Sequence, residues 1–324
     1  MARTKRETRL SGYTGFAAIF DEIVSNVENV IEGKSDVIRL ALITLIAEGH
    51  LLIEDVPGVG KTMLAKAIAR STSCVWRRIQ FTPDLLPSDI TGVSIYNSQA
   101  KRFEFKPGAI FANIVLGDEI NRASPKTQSA LLESMEERQV TVDGVTHPLS
   151  LPFMVIATQN PIEHEGTYPL PESQLDRFMM RLQIGYPDSA HSIEILNRHG
   201  VSEPVEKIKP VVDTEGVLSL IEGARRVHVA DPLKKYIVEL TEATRSHSGI
   251  FLGASPRAAL FLLKAGRAKA ASEARDFALP DDVKELAIPV LSHRILLSAE
   301  AQMRGLSAEE ILTELLNSIP IPAK

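Results

Sequence analysis

The chain has 324 residues, 44% hydrophobic and 24% charged, with a formal net charge of −5. That length suits two domains and that composition supplies a substantial core. The negative balance gives no general field for nucleic acid, and 5% aromatics argue against a base-stacking protein. A single cysteine, Cys74, excludes an internal disulfide and a Cys-rich metal site.

In chain order, MARTKRETRLSG is basic but lacks the apolar segment of a signal peptide, so residues 1–15 are expected to be a tail. No apolar run approaches the length of about 18 residues that spans a membrane, and a cytoplasmic protein is expected. Residues 16–48 read as two helices broken at Gly33-Lys34, and Leu51-Leu52-Ile53 as a central strand. A helix over 61–73, a strand from Trp76 to Phe81 and a hairpin turning at Pro107-Gly108 follow. Residues 114–118 form another strand, and Ser124-Pro125 starts a helix that runs to about Arg138. Asp143-Gly144 marks a second hairpin, and 153–160 is a further buried strand. Beyond Tyr186-Pro187-Asp188 the pattern turns almost wholly helical, over 189–199, 214–226, 232–245, 256–274, 281–298 and 307–318. Ser307 with Glu310 fits a capping box. The expected class is α/β, a three-layer P-loop core over 16–186 followed by a small all-helical lid over 187–324.

The stretch LLIEDVPGVGKT carries most of the chemistry. It has the shape of a phosphate-binding loop, a strand followed by a Gly-rich turn and Lys-Thr at a helix start. Its candidate nucleotide contacts are Pro57, Gly58, Val59, Gly60, Lys61, Thr62 and Met63. Inward-facing N–H groups would hold the phosphates, Lys61 would reach the β- and γ-phosphates, and Thr62 would ligate Mg²⁺. Asp55 stands where the usual pattern has its first glycine, so its side chain must point away from the ligand. Asp118 and Glu119, at the end of IVLGDE, suit a Mg²⁺ ligand and the group that activates water. Asn160 can donate to a γ-phosphate oxygen or hold the water without adding charge.

Arg257, just after Ser255-Pro256, places a cation at the positive end of a helix, which a nearby anion would offset. If the helical domain folds over the nucleotide, Arg257 reaches the γ-phosphate from the lid side. Arg177, in PESQLDRF, is a candidate trans finger for a neighbouring subunit's nucleotide or a partner in an ion pair of its own subunit. Arg122, beside the acidic pair, could serve in either way.

With IQFTPDLLPSDITG, FKPGAIFANIVLGDEINRASPKTQSALLESMEERQVTVDG, FMVIATQNPIEHEGTYPLPESQLDRFMM and GASPRAALFLLKAGRAKA added, the chain resembles a MoxR-type AAA+ ATPase of the helix-2-insert branch across most of 16–290. The resemblance implies Walker A roles for Lys61 and Thr62 and Walker B roles for Asp118 and Glu119. It implies sensor 1 at Asn160, the arginine finger at Arg177 and sensor 2 at Arg257, with ATP and Mg²⁺ as cofactors. An acidic residue at the Asp55 position is common in that family. The resemblance further implies a homo-oligomeric ring, usually hexameric, that remodels or matures client proteins, often ones with a von Willebrand factor A domain or a metal cofactor. The alternatives are a DNA-dependent motor, for which Lys101, Arg102 and Lys106 offer a local basic patch, and a nucleotide-dependent switch.

Overall fold

Short apolar runs that end in polar residues form the centre of this protein. In the computed structural model, which describes residues 12–161, 166–187 and 204–321 with Ser189 and Ile193 as isolated positions, they make one five-stranded parallel sheet. Its strands are β1 (Leu51–Glu54), β2 (Trp76–Gln80), β5 (Ile114–Asp118), β8 (Met154–Gln159) and β9 (Met180–Leu182), in the order β2-β5-β8-β1-β9. Two antiparallel hairpins, over 92–107 and 139–148, lie between them in sequence. The register sets Glu54 beside Gln159 and Gln80 beside Asp118. The polar residues that close these strands are thereby gathered at one edge, the C-terminal edge of the sheet.

Alternate strand residues face opposite sides. Leu51, Ile53, Ile114, Leu116, Met154 and Ile156 face α1 (Tyr13–Glu28), α2 (Ser35–Ile46) and α3 (Lys61–Ser71). Leu52, Val115, Val155 and Ala157 face α5 (Pro125–Glu137) on the other side, where Leu131, Leu132 and Met135 are buried. The short helix α4 (Pro87–Thr91) leads into the first hairpin, and the single turn α6 (Glu172–Leu175) precedes β9.

The C-terminal helices are α7 (Thr214–Arg225), α8 (Asp231–Ser246), α9 (Pro256–Ser272), α10 (Pro280–Leu291), α11 (Ala299–Met303) and α12 (Ala308–Ser318). They pack on one another, and their core is continuous with that of the sheet. Their apolar faces, through Leu220, Leu240, Leu262, Leu286 and Ile311, join the cluster that holds α1, α2 and one face of the sheet. Glu48 ties both parts together, accepting from Arg138 at 2.8 Å and Arg225 at 2.5 Å. Burial raises its pKa, but those arginines hold its carboxyl below the usual range.

Several expectations are met and several are corrected. Ser307 and Glu310 form the reciprocal capping box, and Ser124 caps α5 with Pro125 in its first turn. Asp143 (φ 52°) and Gly144 (φ 78°) make the turn between β6 (Gln139–Val142) and β7 (Val145–Pro148). The first hairpin is different. It pairs β3 (Gly92–Asn97) with β4 (Arg102–Pro107), and its turn is built by Asn97, whose Oδ1 accepts from Gln99 and Ala100 N–H at 3.0 Å. Pro107-Gly108 is the exit of the hairpin. A side chain at Gly108 would collide with the Ile90 carbonyl, so that glycine permits a close backbone crossing and makes no turn. The helix expected over 281–298 ends at Leu291. A 3₁₀ turn (Ser292–Arg294) follows, and then β11 (Leu296–Leu297), which pairs with β10 (Ile250–Leu252). Tyr13 to Gly15 belong to α1 and not to the tail, and the helix expected over 189–199 lies outside the described residues apart from its two isolated positions.

His50, immediately before β1, pins the opposite, N-terminal edge of the sheet. Its Nδ1 accepts from Val155 N–H at 3.0 Å, which leaves Nε2–H to donate to Met135 O at 3.1 Å. That arrangement requires the neutral ring, and burial pulls its pKa down to about 4. The unfolded chain takes up this proton near 6.5, so between pH 6.5 and 4 it binds more protons than the folded state. Stability is therefore full above 6.5 and is lost as pH falls through that window. Urea unfolding from pH 7.5 to 4.5 should show a shallower acid loss for His50→Gln than for the wild type, with a difference on the order of 3 kcal/mol.

Candidate active site

The phosphate loop joins β1 to α3. Gly58 (φ 86°) and Gly60 (φ 97°) both have positive φ just ahead of an 11-residue helix, the kind of turn and helix start whose N–H groups can cradle an anion. Lys61 begins that helix, and its ammonium donates to Asp55 O at 2.6 Å across the loop. Asp55 points away, as the sequence requires. Its Oδ2 accepts from the N–H groups of Ile184 (2.7 Å) and Gly185 (2.6 Å), and its Oδ1 accepts from Val56 N–H at 2.9 Å. The residue that breaks the usual pattern is thus a tether between the loop and the chain leaving β9.

Asp118 and Glu119 are held by a hydroxyl that sequence reasoning missed. Thr158, fully buried on β8, donates from Oγ1 to Asp118 Oδ1 at 2.6 Å and accepts from Glu119 N–H at 2.9 Å. Glu119 adopts φ 57°, uncommon for a non-glycine residue, so the chain swings its carboxylate out of the strand's alternation. Gln80 (2.9 Å) and Arg122 (3.0 Å) donate to its Oε2. Arg78 donates to Asp118 Oδ2 at 2.6 Å. Asn160, buried, follows directly on β8, one residue beyond the pair Gln159–Glu54. Lys61, Thr62, Asp118, Glu119 and Asn160 therefore all lie at the C-terminal edge of the sheet. The only hint of Thr158, Gln80 and Arg78 in the sequence was polarity within otherwise apolar strands.

Residues 50–180 match the AAA family model, "ATPase family associated with various cellular activities", and residues 242–315 match an AAA lid domain. The chain is 49% identical to the uncharacterised protein YeaC of Bacillus subtilis, over 94% of this chain and 96% of that one. It is 40% identical to chaperone MoxR1 of Mycobacterium tuberculosis, over 99% of this chain and 88% of that one. A solved structure of a candidate ATPase from Cytophaga hutchinsonii matches with a TM-score of 0.90 at 39% identity, each chain covered in full. The chain belongs to the MoxR family of AAA+ ATPases. It hydrolyses ATP to ADP and phosphate.

Mg²⁺ fits this MoxR-type edge by donor chemistry. The Thr62 hydroxyl and Asp118 carboxylate are hard oxygens of the kind Mg²⁺ takes alongside phosphates and water. Among the described residues no group of three or more His, Cys, Asp or Glu gathers to hold a metal by itself.

Arg177 and Arg257 lie elsewhere. β9 starts with Met180 beside Leu51, so Arg177 precedes the N-terminal end of β9, whereas Lys61 follows the C-terminal end of β1. The strand between them spans roughly 10 Å, and both groups lie beyond its ends. Arg177 Nε pairs with Glu136 Oε2 at 3.3 Å, and Arg257 donates to Glu136 Oε1. Glu136 follows Met135, the partner of His50, which confirms the N-terminal edge. The helix bearing Arg257 does not close over its own phosphate loop; it docks against the far side. Ser255 Oγ lies 2.9 and 3.0 Å from the two oxygens of Asp176. Arg294 pairs with Asp176 at 3.0 Å and donates to the carbonyls of Asp176, Phe178 and Met179. Burial draws its pKa down to about 10 even beside Asp176.

Asp55→Gly would complete the usual loop pattern, yet it would leave the Ile184 and Gly185 N–H groups without their carboxylate. Bonds to charged groups are worth about 1.5–3 kcal/mol each. The variant should show a lower thermal midpoint than the wild type and weaker ATP binding, measured by unfolding and by titration calorimetry.

Proposed function

We propose that this MoxR-family ATPase is a Mg²⁺-dependent remodelling chaperone that works as a homo-oligomeric ring, a hexamer by family resemblance. Its clients are partner proteins of the kind the resemblance implies, carrying a von Willebrand factor A domain or a metal cofactor. The reading rests on one observation: the two arginines assigned to the γ-phosphate lie at the sheet edge opposite the phosphate loop. A subunit with both features on opposite edges presents its loop to one neighbour and its arginines to the other, the head-to-tail arrangement that closes into rings. Arg177 then acts as a trans finger, and Arg257 acts beside it.

Within the site, the loop N–H groups and Lys61 bind the β- and γ-phosphates. Glu119 orients the attacking water and takes up its proton, and Asn160 donates to the γ-phosphate or the water. Thr62 and Asp118 would hold Mg²⁺, which supplies charge neutralisation at the β- and γ-phosphates. Gln80 and Arg122 keep Glu119 aimed until nucleotide and water compete for it. The contact to a client is best carried by the first hairpin, which exposes Val93, Ile95, Tyr96 and Phe103, the last two in an edge-to-face pair at 5.3 Å. Phe105 stacks on His147 at 3.8 Å, so the two hairpins meet. Exposed apolar side chains along the hairpin favour a protein client over DNA, and Arg102 in the basic patch is paired with Glu104 at 3.1 Å.

Glu119→Gln should keep ATP binding and lower phosphate release by about 10²–10⁴-fold, and in ATP it should retain partner proteins that the wild type releases. Unchanged turnover would remove Glu119 from its role. Turnover that DNA stimulates and salt suppresses would favour the motor reading instead.

A further inference from the structure

We propose that Glu136 is a positioning residue for the neighbour's active site: its carboxylate gathers Arg177 and Arg257 into one composite cation that meets the γ-phosphate. The proposal rests on the reading that these arginines act across a subunit boundary, and it adds the group that holds them together. Each carboxylate oxygen takes one guanidinium, Oε2 that of Arg177 and Oε1 that of Arg257.

Stability does not explain the arrangement. The three side chains are 29%, 36% and 36% exposed, and ion pairs this open to solvent add little. Both helix ends also oppose the charges they carry. Glu136 sits in the last turn of α5, where a carboxylate faces the negative end of the helix dipole. Arg257 sits in the first turn of α9, where a cation faces the positive end. The two misplaced charges answer each other where those ends meet.

Charge counting then points outward. One carboxylate faces two guanidiniums, and the nearby Asp176 is already engaged by Arg294 and Ser255. A net positive charge is left at an exposed site, suited to a polyanion such as the terminal phosphate of bound ATP. The scaffolds on either side are fixed. Met135 is bonded to His50, Arg138 to Glu48, Ser255 to Asp176, and Asp176 to Arg294. Only the side chains need move, and Glu136 limits how far the two guanidiniums spread before the phosphate takes over their N–H groups.

The test uses Glu136→Ala, with Glu136→Gln as the variant that keeps the shape and Glu136→Asp as the one that keeps the charge. Glu136→Ala should lower kcat about tenfold with little change in KM for ATP or in thermal midpoint. Glu136→Gln should behave likewise, and Glu136→Asp should recover part of the rate. Mixed with Lys61→Ala subunits at equal amounts, Glu136→Ala should regain turnover at about a quarter of the ring's sites, because Lys61→Ala subunits supply intact arginine pairs. Arg177→Ala mixed in the same way is the control. Recovery with Arg177→Ala but not with Glu136→Ala would overturn the role of Glu136 and leave the shared site standing. Wild-type kcat in Glu136→Ala would overturn it as well. Failure of both mixtures in verified mixed assemblies would remove the shared site, and this proposal with it.

Discussion

The Thr158 hydroxyl is the point on which this active site turns. It donates to Asp118 and accepts from the backbone of Glu119, so one buried atom fixes the first carboxylate and the chain direction at the second. Thr158 reaches them only because β5 and β8 pair in parallel with Gly117 beside Ala157. A shift of one residue would send the hydroxyl to the other face of the sheet and leave both acids unsupported. The same parallel pairing sets the phosphate loop at the end of β1, so Lys61 and Thr62 share an edge with Asp118 and Glu119 without any long loop to bring them there.

The apolar core limits what can move. The C-terminal helices share a continuous cluster with α1, α2 and the sheet, and Arg294 is buried against the backbone of Asp176, Phe178 and Met179. A lid that rotates freely over its own nucleotide would have to break that cluster. The structure fits better with a subunit that moves as one body; on the proposed shared-site reading, the change on hydrolysis is felt where the arginine pair meets another subunit's phosphate. The Asp55 tether has a place in this scheme, since it connects the phosphate loop to Gly185, at the exit toward the C-terminal helices. Beside it, Glu54 bonds Arg181, which in turn bonds Ser292 and Glu309. Loop and helices are in this way joined by two polar routes as well as by the core.

Much of this was legible in the sequence. The strand ends, the phosphate loop, the Asp143-Gly144 turn and both helix caps are encoded locally, in runs and turn residues a few positions long. The outward direction of Asp55 followed from charge alone. What the sequence did not reveal depends on tertiary geometry. Pro107-Gly108 reads as a turn, but a glycine is equally required where two backbones cross, and only the fold distinguishes these uses. Thr158, Gln80 and Arg78 act through neighbours on other strands, and Glu136 looks like one more exposed helix glutamate. Arg257 reads as a γ-phosphate contact in the sequence, but its spacing along the chain cannot say at which edge of the sheet it arrives; the fold places it on Glu136.

That edge decides the account. If Arg257 serves the nucleotide of another subunit, Lys61→Ala and Arg257→Ala each disable different halves of a shared site. Phosphate release from equimolar mixtures of the two, in assemblies shown to contain both, should rise clearly above that of either variant alone. A mixture no more active than its parents would place Arg257 at its own subunit's nucleotide and contradict the account.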